Sequence, residues 1–485
     1  MIPGARARRR RSGAPPAADG GVERQRLLFW IVAGWLAVIA LGGGTARGDA
    51  QSLLFVRPAT VLFLAALVLI AGRSVFEGKR EALWFIAAMF GLVGAQLVPL
   101  PPGLWALFSG REIWAEGIAA AGLTEEWRPF TLSPGGTRNA LMALLVPLAA
   151  FLGASALGPE WRARLLTAIL ILICVSALLG MLQIAAGAGT VLRFYRITNE
   201  GDAVGLFANR NHNALVIALG FPLLAYKARE RAAAGRDRGF DGIILGALSL
   251  FLLVSIAVTG SRSGFAIAFL ALAASAALFY PLNPPMGRRS GGRRGLHWLV
   301  VGSAGAIAAA GLATLLADTR SVGRLFGTSL AEDTRVLIVG ELDRMLAAFL
   351  PWGSGFGSFR YIFPAFERQE TMESAYVNHA HNDLVQIGIE GGAAAVVLLL
   401  LFLYWWLQRA WRASRARHGA IGDQMKVAIV CTGGLLVASL VEFPLRTPTM
   451  AALFAIFCAL LLEPYRRATA EQGGELGLDR TTAAV

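Results

Sequence analysis

Between residues 378 and 392 the chain reads Asn-His-Ala-His-Asn-Asp-Leu-Val-Gln-Ile-Gly-Ile-Glu-Gly-Gly, which gathers His379, His381, Asp383 and Glu390 in one short stretch. Imidazole titrates near neutral pH, so either histidine suits removal of a proton from a hydroxyl. Metal ligation is the weaker reading, because this pair has no cysteine or second acidic motif to complete a ligand set. Structural hydrogen bonding is the third. Three further constellations carry charge. The segment Gly205–Asn213 brings Arg210 and His212 to the start of an apolar run, with Asn209 or Asn211 as its N-cap. The turn Thr259–Gly264 places Ser261, Arg262 and Ser263 at another helix start, where free backbone N–H groups and an arginine suit a phosphate or diphosphate. The segment Val441–Pro448 carries Glu442 and Arg446 in a turn framed by Pro444 and Pro448, and those two charges are expected to pair with each other. The bland alternatives are a snorkelling arginine, a plain turn with an interface anchor, and a closed ion pair.

The elements that must position these groups are membrane helices. Of 485 residues 56% are hydrophobic and 16% charged, against about 25% charged in an ordinary soluble domain. A bilayer span needs about 20 mainly apolar residues. Twelve charge-free apolar runs are present, near 27–44, 58–72, 82–98, 139–158, 165–187, 212–226, 242–259, 264–282, 298–317, 391–408, 427–441 and 447–462. A soluble multidomain architecture is excluded, and the fold class is an all-α polytopic membrane protein. The first run follows a basic tail and lacks a small-residue cleavage site, so it reads as a retained anchor. Cys174, Cys431 and Cys458 all lie inside apolar runs, which argues against a disulfide framework or a thiolate metal site.

The net charge of +14 would suggest nucleic acid in a soluble chain, but here it marks orientation. Basic residues fill the N-terminal tail, every second loop and the C-terminal tail, while the opposite side is slightly negative. Both termini are therefore expected in the cytoplasm, and no nucleic-acid partner is. The organisation read from this is a basic tail (1–26), helices one to nine (27–317), a cap loop (318–390), helices ten to twelve (391–463) and a second tail (464–485). Within the first helical block, the external loop 100–138 alternates Leu104, Trp105, Leu107, Phe108, Ile113 and Trp114 with Arg111, Glu112 and Glu116, as a helix lying in the interface would. In the cap loop, Val336, Leu337, Leu342, Met345, Leu346 and Phe349 recur at helical spacing until Pro351, and Gly353, Gly355 and Gly357 follow. No internal repeat and no nucleotide motif appears. All four charged constellations fall on the external side. There, arginines would hold an anionic, lipid-linked donor and offset leaving-group charge, while a histidine takes the proton of an acceptor hydroxyl.

At these residues the chain resembles the O-antigen ligase / O-antigen polymerase superfamily of bacterial inner-membrane glycosyltransferases. The resemblance runs from about 130 to 450 and rests on an ordered set of motifs: Ser133–Arg138, the Gln183 segment, Phe207–Asn213, Ser261–Gly264, Pro351–Phe359, and His381-Asn382 through Glu390-Gly391. It implies about twelve transmembrane helices with a long periplasmic loop, in a fold related to integral-membrane glycosyltransferases. The implied donor is an undecaprenyl-diphosphate-linked glycan, transferred with inversion, without metal or cofactor. The essential loop histidine of the family is followed by Asn, Ser or Gln, which maps it onto His381. His379, followed by Ala380, does not match. Arg210 and Arg262 match the diphosphate-binding arginines, with Ser261, Ser263, Asn382 and Glu390 as further substrate contacts. His379, Asp383, His212, Arg446 and Glu442 stand behind them. Gly392 occupies an expected glycine position, but Ala395 stands where ligases carry Gly, Thr or Tyr. The resemblance implies a ligase acting on a glycan or lipid A core acceptor, with polysaccharide-assembly and chain-length proteins and membrane lipids as partners. The alternatives are a polymerase of O-antigen or exopolysaccharide repeat units and, from another class, a twelve-helix transporter.

Overall fold

The computed structural model describes residues 17–235, 238–279, 337–369 and 377–462. In chain order its helices are α1 (Ala17–Gly42), α2 (Leu53–Ala71), α3 (Arg80–Ala95), the short α4 (Pro102–Trp105) and α5 (Glu112–Ala120), α6 (Pro134–Ala143), α7 (Leu145–Ala156), α8 (Pro159–Ala186), α9 (Arg210–Ala218), α10 (Gly220–Ala233), α11 (Arg238–Thr259) and α12 (Arg262–Phe279). After them come α13 (Val339–Phe349), a single unnumbered turn of helix at Phe359–Ile362, α14 (Asp383–Ser414), α15 (Ala420–Ala438) and α16 (Pro448–Leu462). The described strands, Pro99–Leu100 and Arg128–Pro129, form one antiparallel pair with Pro99 opposite Pro129.

The chain is an all-α polytopic membrane protein. Eleven of the twelve apolar runs lie on helices, and the ninth, 298–317, falls outside the described residues. Eight described spans are long and apolar enough to cross a membrane. At 16 and 15 residues, α3 and α16 are shorter, and the run at 212–226 is divided between α9 and α10. Two interruptions have a common cause. Proline has no N–H to donate four residues back, so Pro147 and Pro222 leave the carbonyls of Ala143 and Ala218 without helical donors. The breaks fall at the next residues, Leu144 and Leu219.

The main core joins buried side chains of α1, α2, α7 to α12, α15 and α16, with α7 and α16 in the most extensive contact. A second, smaller core lies in the cap, where Leu342, Met345 and Phe349 of α13 meet Phe359, Ile362, Phe363 and Ile389. The helical spacing read from the cap sequence therefore buries a face at Leu342, Met345 and Phe349, while Leu337 is exposed and Val336 lies outside the described residues. In the loop 100–138 one residue departs from expectation. Arg111, read as part of a polar face, is buried, with its guanidinium 4.8 Å from the Trp105 ring centre and 4.7 Å from that of Phe130. Burial lowers its pKa to about 10, and its Nη2 donates to the Phe130 carbonyl at 2.6 Å.

Helix ends sort onto two faces. The starts of α9, α12, α14 and α16 share one face with the ends of α8, α11 and α15. The backbone N–H of Asp383, at the start of α14, donates to the Ser439 carbonyl at the end of α15, at 2.9 Å. On the other face, Gln25 of α1 joins the Ala156 carbonyl and the Gly158 N–H at the junction of α7 and α8.

Candidate active site

His381 immediately precedes the cap of α14. Asn382 is that cap, its Oδ1 accepting from the N–H groups of Leu384 at 3.0 Å and Val385 at 3.1 Å. His381 has φ +51°, the one positive-φ non-glycine residue among those described. That conformation is uncommon for a side chain of this size and is held by its surroundings. The ring sits edge-on to Phe443, with centroids 4.9 Å apart. Its Nδ1 lies 3.5 Å from Oε2 of the fully buried Glu442, long for a hydrogen bond but within ion-pair range. The other carboxylate oxygen of Glu442 accepts from Asn211 Nδ2 at 2.5 Å. Phe443 also packs against His379, with centroids 4.5 Å apart, and against His212, 5.1 Å apart. Three of the chain's five histidines therefore surround one phenyl ring.

The expected pairing of Glu442 with Arg446 is not made. Residues four apart face each other only on a continuous helix, and Phe443, at φ −125° and ψ 53°, interrupts it. Arg446 turns instead to α14, donating from Nε to Asp383 at 2.9 Å and from Nη1 to Glu390 at 3.2 Å. Burial alone would weaken its charge; Glu390 and then Asp383 more than offset this and raise its pKa. Glu390 is fully buried and also accepts from the Phe359 N–H and from Gln386, each at 3.1 Å. The Nε2 of Gln386 also lies 3.3 Å from His379 Nδ1. Burial, then the charge of Arg446, then His381 hold His379 well below the ordinary histidine pKa, so its ring is neutral.

The arginine positions stand at neighbouring helix starts. Asn209 caps α9 through the Asn211 N–H at 2.8 Å, and Arg210 Nη1 donates to Asp202 at 3.1 Å. Ser261 caps α12 through the Gly264 N–H at 3.1 Å, and its hydroxyl lies 3.2 Å from that of Ser263. The two starts are drawn close because Gly264 has no side chain; a Cβ there would stand 2.3 Å from that of Ala214 on α9. Arg262 thus begins the helix beside the one that Arg210 begins.

The glycine-rich segment 351–359 packs beneath this assembly, where α14 is broken. Gly392 has φ +62° and ψ −160°, which frees the carbonyls of Ile389 and Glu390 from the helix. They accept from the N–H groups of Ser354 at 2.9 Å and Gly355 at 2.8 Å. Gln96, which stands inside an apolar run, clamps the same place through the Glu390 carbonyl and the Phe356 N–H. Thr137 of the Ser133–Arg138 motif donates to the Phe356 carbonyl at 2.7 Å.

The structure thus brings His381, Glu442, Asn211, Phe443, His379 and His212 together, and places Asp383, Glu390 and Arg446 in a buried clamp behind them. Gln96, Gln386 and Phe443 were not singled out from sequence. The signal for Gln96 was its position as a polar side chain within an apolar run. Among the described residues no three His, Cys, Asp or Glu side chains are grouped so as to hold a metal ion.

No curated protein matches the chain. The family described as O-antigen ligase matches residues 247–400, from α11 into α14. That stretch holds the α12 start, the glycine segment, His381 and the Gly392 break, all on the face just described. This match over about a third of the chain supports the O-antigen ligase/polymerase superfamily and a ligase- or polymerase-type role in polysaccharide biosynthesis.

Proposed function

We propose that the chain is a ligase-type glycosyltransferase of the bacterial inner membrane. It moves a glycan from an undecaprenyl-diphosphate carrier to an acceptor hydroxyl at the periplasmic face. The observation that carries this reading is the line Asn211–Glu442–His381. Glu442, fixed by Asn211, faces His381 Nδ1 and favours the proton on that nitrogen. Nε2 is then the basic nitrogen, and the neighbouring carboxylate stabilises the imidazolium that forms.

The reaction balances without a redox partner. The acceptor hydroxyl gives its proton to His381 Nε2, and its oxygen bonds to the anomeric carbon. On the opposite side the bond from that carbon to the diphosphate oxygen breaks, with inversion. The electron pair leaves on undecaprenyl diphosphate, whose charge Arg210 and Arg262 offset from the starts of α9 and α12. Asn382, Ser261 and Glu390 support the site chiefly as caps and clamp, since their contacts lie within the protein. The acceptor is a glycan or lipid A core.

A repeat-unit polymerase is the second reading, and one residue favours it. Ala395 occupies a position where ligases of the family carry Gly, Thr or Tyr, and it is buried against Gly391. Replacing His381→Ala and profiling surface and carrier-linked glycans separates the readings. A ligase leaves long chains stranded on the carrier, and a polymerase leaves single repeats. An unchanged profile would mean that neither transferase reading holds, as a transporter predicts.

A further inference from the structure

The face opposite His381 carries a second, unassigned feature. Between α1 and α8 lies a cavity of about 470 Å³ lined by Val22, Arg26, Phe29, Trp30, Trp161 and Arg164. Arg26 immediately precedes the charge-free run that begins at Leu27, and Arg164 the one that begins at Leu165. The two guanidinium groups therefore mark where the two helices enter the hydrocarbon. Trp30 and Trp161 stand at the same level, where indole rings settle in bilayers.

The neighbouring arginines show what is unusual about this pair. Arg24 donates to the Ile70 and Ala71 carbonyls and so closes the end of α2. Arg162 donates to the Ala154 and Ser155 carbonyls at 3.1 Å and closes the end of α7. Arg26 and Arg164 close no helix and pair with no carboxylate among the described residues. The guanidinium carbon of Arg164 stands over the Trp161 ring, 4.1 Å from its centre, which holds the charge against the indole. Phe29 forms the floor, packed against both Trp30 at 5.3 Å and Trp161 at 5.4 Å.

We infer that this groove binds the phosphodiester headgroup of an anionic phospholipid from the adjacent leaflet. Two guanidinium forks suit the oxygens of one phosphodiester, and the aromatic floor suits the glycerol and the first acyl carbons. Charge complementarity selects an anionic lipid, and the depth of the arginines selects a lipid over a soluble phosphoester. The inference rests on the fold and its membrane placement, and it is independent of the chemistry at His381.

The test uses the full chain, purified in mild detergent and stripped of lipid. Phosphatidylglycerol, phosphatidylcholine or inorganic phosphate is added back, and bound lipid is counted by native mass spectrometry beside thermal unfolding. One phosphatidylglycerol is expected to be retained and to raise the melting temperature. Phosphatidylcholine and millimolar inorganic phosphate should do neither. Arg26→Gln and Arg164→Gln should each lower occupancy about five-fold, and the pair ten-fold or more. Arg80→Gln, which removes one charge from the same face outside the groove, should leave it unchanged. If the double variant does not fold, the single variants carry the test. Equal retention by wild type and both single variants, equal binding of phosphatidylcholine, or displacement by inorganic phosphate overturns the proposal.

Discussion

A histidine that serves as base needs one nitrogen held protonated and the other left free, and Glu442 is the residue here that can enforce this. Replacing Glu442→Gln keeps the volume and a hydrogen-bonding group but removes the charge that stabilises the imidazolium. The transfer rate in proteoliposomes with a carrier-linked donor should fall by up to about 10⁴-fold, as when a histidine base loses its carboxylate partner elsewhere. Asn211→Ala leaves the carboxylate present but loosely held, so a smaller loss of about ten-fold is expected. If both variants keep wild-type rates, Glu442 does not orient His381. His379 offers a different readout, because its folded pKa lies well below the ordinary value of 6.5. The unfolded chain binds more protons between those two values. Its contribution is therefore fully present above pH 6.5 and is lost as pH falls toward the folded pKa. His379→Gln should flatten that acid-side loss in melting temperature, and an unchanged slope would assign the acid sensitivity to another group.

At the scale of elements, the site depends on a glycine loop seated in a helix break. Gly357 has φ +78°, and a Cβ there would stand 2.4 Å from the Gly136 carbonyl oxygen, a backbone atom with little room to retreat. Gly357→Ala should destabilise by about 2–4 kcal/mol in thermal unfolding. Gly117→Ala, in α5 with nothing within 4 Å, should stabilise by about 0.5–1 kcal/mol. Equal effects at the two glycines would contradict the packing described. The same elements show what sequence could and could not disclose. Apolar runs announced the helices because a bilayer demands length and freedom from charge over a local window. The prolines at 147 and 222 were visible too, and the breaks follow from them. The role of the segment 351–359 was not visible, because its partners Gln96 and Thr137 lie 260 and 219 residues away from the groups they bind. The misassigned Glu442–Arg446 pair shows the reverse error, since spacing of four implies contact only where the helix continues. Arg111 shows another: a guanidinium among aromatic residues reads as an amphipathic surface, but a folded loop closes the rings around it.

For the whole molecule, the uneven charge and the two sorted faces make one statement about orientation. The groups proposed for chemistry stand on the face with little net charge, and the groove at Arg26 and Arg164 stands on the basic one. If basic loops stay in the cytoplasm, the polyprenyl diphosphate site faces the periplasm, and the lipid groove faces the inner leaflet. Cysteine mapping can check this, because Cys174, Cys431 and Cys458 lie within apolar helices and can be replaced by alanine. In that background, Glu125→Cys on the loop before α6 should react with a membrane-impermeant maleimide when only the outer membrane is opened. Arg415→Cys, just beyond α14, should react only after the inner membrane is breached. The reverse pattern would place His381 on the cytoplasmic side, and the orientation read from charge would be wrong. The expected pattern also constrains the chemistry. A donor activated only by its diphosphate carrier must have its leaving group stabilised on the periplasmic side by the protein itself. In the proposed reaction, the arginine-bearing starts of α9 and α12 would meet that requirement beside a histidine base.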